Sequence, residues 1–105
     1  MKLKKLMHDF LQDYLDQNKI EFSEWSVNVN NQEGFGDYSS NIALKLAKIL
    51  KKAPIKIAEN IAIHPNASEN VFTLSASQPG FVNFHISNDY YLKILKQIIN
   101  ESENF

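Results

Sequence analysis

Apolar residues at Leu3, Leu6, Met7, Phe10, Leu11, Tyr14 and Leu15 recur at helical spacing, which predicts an amphipathic helix over about residues 2–18 with Asn18 as its stop. Trp25, Val27 and Val29 then alternate with Ser26, Asn28 and Asn30, the period-two pattern of a strand with one apolar and one polar face. Residues 30–36 read as a loop carrying two glycines. Asp37 is expected to cap the next helix, its carboxylate accepting from free amides of the first turn. That helix puts Ile42, Ala43, Leu46, Ala47 and Leu50 on one side and Asn41, Lys45, Lys48 and Lys52 on the other. Pro54 suits the first position of a short third helix containing Ile55, Ala58, Ile61 and Ala62. His64-Pro65 ends it, because the residue before proline is pushed out of helical geometry.

Alternation returns over 71–76, with Phe72, Leu74 and Ala76 as the apolar face. Gln78-Pro79-Gly80-Phe81 fits a type II turn, proline fixing φ at the second position and glycine allowing positive φ at the third. The following strand, 81–87, is expected to pair with 71–76 as an antiparallel hairpin. A last helix, capped by Ser87 or Asn88, is expected to bury Tyr91, Ile94, Leu95, Ile98 and Ile99. The order α-β-α-α-β-β-α predicts an α+β fold: a small antiparallel sheet with the helices packed on one face. A fourth strand is left open. The strand phases assign the other, uncovered face Ser26, Asn28, Asn30, Thr73, Ser75, Phe81, Asn83 and His85.

At 105 residues, 44% of them hydrophobic and 22% charged, the chain has the size and balance of one folded domain spanning 1–105. It contains no cysteine, which excludes disulfide frameworks, thiolate metal sites and thiol catalysis, and fits a reducing, cytoplasmic setting. No run approaches the length of a membrane span, and no membrane partner is expected. The net charge is −1 and every basic residue is a lysine. Such a chain lacks the arginine fork that grips phosphate or guanine with two bonds, so DNA is not an expected partner and any RNA contact must be local and modest.

The residues that carry chemistry are few. His8, His64 and His85 lack the short spacings of metal ligands. Ser39-Ser40 read as first-turn residues of a helix rather than nucleophiles. Gly34-Phe35-Gly36-Asp37 is too short for a phosphate loop and has no downstream lysine in place. No catalytic residue, metal or cofactor is therefore expected in this chain. The uncovered face offers a different chemistry. Phe81 and Asn83, two residues apart on one strand, point a ring and an amide the same way, and Gln78 at the turn can reach the same space. Unpaired RNA bases are read by such stacking and edge hydrogen bonding. The plainer reading is that Phe81 packs at a sheet edge, or under the first helix, and Asn83 is merely solvated. Lys45, Lys48, Lys51, Lys52 and Lys56 form a basic stripe, either a phosphate contact or a solvated helix face.

Two segments point to a family. Phe35-Gly36-Asp37-Tyr38-Ser39-Ser40-Asn41, followed by Ile42-Ala43-Leu44 and Leu46-Ala47, resembles the Gly-Asp-Tyr-(small)-(small)-Asn segment of the amino-terminal domain of arginyl-tRNA synthetases. Pro54, Ile57-Ala58 and the run Pro79-Gly80-Phe81-Val82-Asn83-Phe84 through Ile86-Ser87 match the same family in order and spacing. The resemblance implies a tRNA-binding accessory domain that meets the D-loop corner of arginine tRNA through Gln78, Phe81 and Asn83; Lys45, Lys48 and Lys52 of the basic stripe, not the resemblance, are the candidate phosphate contacts. Gly36, Asp37, Tyr38, Asn41, Pro79 and Gly80 would be structural: Gly36 for a tight entry, Asp37 as the cap, Tyr38 packed back on the sheet. Catalytic and anticodon-binding domains are not found in these 105 residues. The resemblance implies a parent arginine–tRNA ligase using ATP, Mg²⁺ and L-arginine, whose catalytic domain is a second partner. The competing expectation is a protein-interaction or interdomain packing module, marked by an apolar patch on the last helix or along residues 3–15.

Overall fold

The structure, a computed structural model, describes residues 2–29 and 37–103. The helical stripe near the amino end becomes α1 (Lys2–Gln17), which buries Leu3, Met7, Phe10, Leu11, Tyr14 and Leu15. It stops as anticipated. Lys19 turns left-handed at φ 56°, Ile20 N–H donates to the Leu15 carbonyl at 2.9 Å, and Asn18 Nδ2 donates to the Tyr14 carbonyl at 2.8 Å. Then come β1 (Val27–Val29), β2 (Tyr38–Ser40), α2 (Ile42–Leu50), α3 (Pro54–Ala62), β3 (Phe72–Ser77), β4 (Phe81–Ile86) and α4 (Asn88–Glu103). This keeps the expected α+β order and adds one strand, β2.

The sheet is antiparallel throughout and ordered β1-β2-β4-β3. In register, Val27 and Val82 flank Ser40, while Val29 and Phe84 flank Tyr38. The extra strand overturns the helix start expected at Asp37: α2 begins at Ile42, so Ser39 and Ser40 belong to a sheet ladder and not to a first turn. The physical reason is the gap between β1 and β4, whose inner edges need backbone partners. Residues 38–40 supply them, with Tyr38 and Ser40 turned toward the core. The helix start is served instead by Ser40 Oγ, which accepts from Ile42 N–H at 3.2 Å. Pro54 does occupy the first turn of α3, as its fixed φ suggests.

Residues from α1, α2, α3 and the inner faces of the strands form one core. At its centre Phe72 and Phe84 meet edge to face at 5.3 Å, and Phe10 of α1 approaches them at 6.1 and 6.4 Å. The β3–β4 hairpin forms as expected, with Ser77 opposite Phe81. Its turn is not type II. The Gln78–Pro79 bond is cis, and Gly80 lies outside the left-handed region. Glycine is needed there for space: a Cβ at position 80 would collide with Pro54 Cβ and sit 2.9 Å from the Pro54 carbonyl carbon. Gly80→Ala is therefore expected to destabilise the domain by about 1–3 kcal/mol through overpacking. In a thermal melt that is a fall of about 4–8 °C per kcal/mol. An unchanged melting temperature would show that α3 moves away freely.

Ser87 caps α4, its hydroxyl accepting from Tyr90 N–H at 3.2 Å. The burial expected of this helix is a correction. Tyr90 and Ile94 are half-buried, but Tyr91 is exposed, and Leu92, Leu95, Ile98 and Ile99 keep 52–55% of their surface open. A helix of 16 residues is about 24 Å long. The core face of a small sheet already covered by α1, α2 and α3 cannot underlie that length.

Candidate functional site

Because α1, α2 and α3 all insert into one core, the opposite sheet face carries no helix among the described residues. The strand phases place Asn28 of β1, Ser39 of β2, Phe81, Asn83 and His85 of β4, and Thr73, Ser75 and Ser77 of β3 on it. β4 lies inside the sheet, so Asn83 stands in register between Ser39 and Ser75. This corrects the expected projecting amide: Asn83 is only 2% exposed. Its Nδ2 donates to Ser77 Oγ at 3.0 Å, and its Oδ1 is buried without a partner. A serine hydroxyl can donate or accept, so turning the amide over would only exchange which end is left unpaired. An unpaired buried amide atom is unfavourable by about 1–3 kcal/mol, a debt an incoming hydrogen-bonding group would remove.

Around that amide, Phe81 is half-buried beside the turn, Gln78 is exposed at its tip, and Ser75 Oγ lies 2.8 Å from His85 Nε2. The structure thus brings Phe81 and Asn83 to one end of one face, a ring and a recessed amide with spare hydrogen-bonding capacity, with Gln78 exposed in the adjoining turn. Lys45, Lys48 and Lys52 are exposed on the helical layer and are not part of that face. The contact of Gly80 with Pro54 nevertheless sets the α2–α3 junction against the same turn.

The Asp37-Tyr38-Asn41 segment works by pinning β2 at both ends. At one end the Asp37 carboxylate accepts from Ile86 N–H and from the Tyr91 hydroxyl, each at 2.8 Å, and Asp37 N–H donates to the Phe84 carbonyl at 2.9 Å. At the other, Asn41 Oδ1 accepts from Ser26 N–H at 3.3 Å. Tyr38, expected to pack back on the sheet from a helix start, is instead a strand residue of the sheet, half-buried against the core. Gly36 lies outside the described residues. The bond from Asp37, then partial burial and the carboxylate's negative charge, raise the Tyr91 hydroxyl above its ordinary pKa of 10.0. Sequence reasoning missed Ser77 as the holder of Asn83. The signal was there in the hairpin, since Ser77 lies diagonally across from Asn83 on the same face.

The family profile described as arginyl tRNA synthetase N terminal domain matches residues 1–86. The chain belongs to this family. Curated arginine–tRNA ligases are similar to this chain as well. The arginine–tRNA ligase of Bacillus subtilis (strain 168) is 38% identical over 71 residues, 67% of this chain and 13% of that protein. That of Mesomycoplasma hyopneumoniae (strain 7448) is 36% identical over 104 residues, 97% of this chain and 19% of that protein. Among solved structures, the Thermus thermophilus arginyl-tRNA synthetase superposes with a TM-score of 0.74 at 22% identity, over 87% of this chain and 15% of that one. The Plasmodium falciparum arginyl-tRNA synthetase gives 0.64 at 25% identity, over 85% and 16%. The chain therefore spans less than a fifth of the length of these relatives.

Proposed function

We propose that this N-terminal domain is a tRNA-contacting module of an arginine–tRNA ligase, meeting the D-loop corner of arginine tRNA with the sheet end that holds Gln78, Phe81 and Asn83. The observation that supports this best is the recessed Asn83 amide, buried with one atom unpartnered beside a half-exposed ring. An unpaired base stacked on Phe81 would bring its edge to that amide. Lys45, Lys48 and Lys52 would add attraction for the phosphate backbone. In this reading the ligase reaction, with its ATP, Mg²⁺ and L-arginine, takes place in the cytoplasm on other domains, and this chain alone does no chemistry.

The test is a titration with labelled arginine tRNA at about 50 mM salt, where backbone attraction is strong. Phe81→Ala is expected to weaken binding roughly 5- to 150-fold, the equivalent of the 1–3 kcal/mol that one stacked base supplies. Asn83→Ala is expected to weaken it as well. Both variants should melt close to the parent, since Phe81 is only partly packed and Asn83 gives up an amide that was half-satisfied. Full affinity in both would remove the site. The interdomain packing reading is favoured by one observation, the exposed apolar side of α4. It requires negligible tRNA binding even at low salt.

A further inference from the structure

We infer that the α2–α3 junction is a phosphate-binding ridge, with Lys51, Lys52 and Lys56 gripping the sugar–phosphate backbone of the RNA whose base meets the β3–β4 turn. The inference rests on the tRNA reading and deepens it. Residues 38–58 contain five lysines and no acidic residue. With a net charge of −1 for the chain, that leaves −6 on all other residues together. The two short helices and the link between them thus carry five lysines against one acidic residue, Glu59, on an otherwise acidic molecule. All five lysines are exposed, and the ion pairs among the described residues involve none of them.

Two features single out the junction within this segment. First, Pro54 touches Gly80, so Lys51 and Lys52 lie within a few residues of the contact that carries Gln78 and Phe81. Second, Lys51 adopts φ 54° as the C-cap of α2, a left-handed conformation for which glycine is the usual choice. A lysine near a helix C-terminus is favourable for the dipole, which accounts for one cation there but not for three. The other left-handed lysine, Lys19, differs in setting: Asp16 and Glu21 neighbour it in the chain, whereas Lys51 has Lys48, Lys52 and Lys56. Unbalanced like charges repel in the free domain, and a polyanion relieves them.

The experiment measures binding of fluorescein-labelled arginine tRNA across salt concentrations for three variants. Lys51→Gln/Lys52→Gln/Lys56→Gln is expected to weaken binding about 10- to 100-fold at 0.1 M salt and to flatten the log–log salt slope by about 2–3, since each lost phosphate contact removes roughly 0.7–0.9. Lys93→Gln/Lys96→Gln, on α4 at the opposite end of β4, should leave the slope nearly intact. Lys51→Gly is expected to raise the melting temperature, by relieving the left-handed backbone, and to lower affinity about 2- to 5-fold. Equal losses in the triple and the α4 double variant would reduce the ridge to net charge and overturn it. So would a triple variant with unchanged affinity and slope while Phe81→Ala still weakens binding, an outcome that leaves the tRNA reading standing. If neither the triple variant nor Phe81→Ala alters binding, both fall.

Discussion

Phe84→Ala is expected to destabilise the domain by about 3–5 kcal/mol, the range for truncating a fully buried aromatic ring. Phe84 is fully buried on the inner side of β4, opposite Tyr38 on one neighbour strand and Leu74 on the other. Its ring meets Phe72 at 5.3 Å and Phe10 at 6.4 Å. The vacated space cannot close easily. Phe10 is held from other directions by Phe72 and by His64 at 5.5 Å, and moving it would carry α1 along. Small domains are stable by only about 5–15 kcal/mol, so such a loss brings this one toward unfolding at ordinary temperature. The midpoint of urea unfolding measures it, and Phe84→Leu should recover much of the difference. Phe81 is the internal control: three residues earlier on the same strand it faces the other way, and its truncation should change tRNA affinity rather than stability. A loss below about 1 kcal/mol at position 84 would contradict the core described here.

How much of this was legible depends on where the information lies. The stripe of α1 and the helix start at Pro54 are local facts, and so is the alternation of β3 and β4; each appears in the structure near its expected bounds. β2 was not legible. Three residues, Tyr38-Ser39-Ser40, are too few to show a period, and what makes them a strand is their pairing with Val82 and Phe84 far along the chain. Asp37 was misplaced for the same reason. An aspartate ahead of a helical pattern fits a cap, and only the intervening strand reveals that its partners are Ile86 and Tyr91. The pattern of α4 correctly marks an apolar side, yet amphipathicity says which side is apolar and never what covers it. At the turn, Pro79-Gly80 satisfied a local rule, while the requirement met by Gly80 is a long-range contact with Pro54.

The candidate site divides along the same line. Strand phase correctly put Phe81, Asn83 and His85 on the face without helices. It could not give the depth of Asn83. With β2 in place, β4 becomes an interior strand, with Ser39 and Ser75 in register beside Asn83 and Ser77 bonded to its amide. A side chain expected to stand up from the sheet is recessed within it. Under the tRNA reading proposed above, a buried, half-satisfied amide would suit discrimination of a base edge better than attraction of a nucleic acid from solution.

Asp37→Ala is expected to destabilise the domain by about 2–3 kcal/mol, because one half-buried carboxylate is the acceptor for two groups on two different elements. A hydrogen bond to a charged group contributes about 1.5–3 kcal/mol. The Ile86 amide would be left half-buried without its partner, whereas the Tyr91 hydroxyl, being exposed, can turn to water and adds little. Asp37→Asn keeps one acceptor and should lose less. Tyr91→Phe isolates the second bond and carries a pH signature. Since the folded-state pKa of Tyr91 lies above 10.0, its contribution is fully present below about pH 10 and declines as pH rises from there through the folded value. The phenylalanine variant should lack that decline. Amide exchange locates the damage of Asp37→Ala. Protection should fall at Ile86 and across the first turn of α4, loosening the exit of that helix, while the first amides of α2 stay as they were. Lost protection at the start of α2, with Ile86 unaffected, would return Asp37 to the helix-cap role and dismantle the latch between β4 and α4.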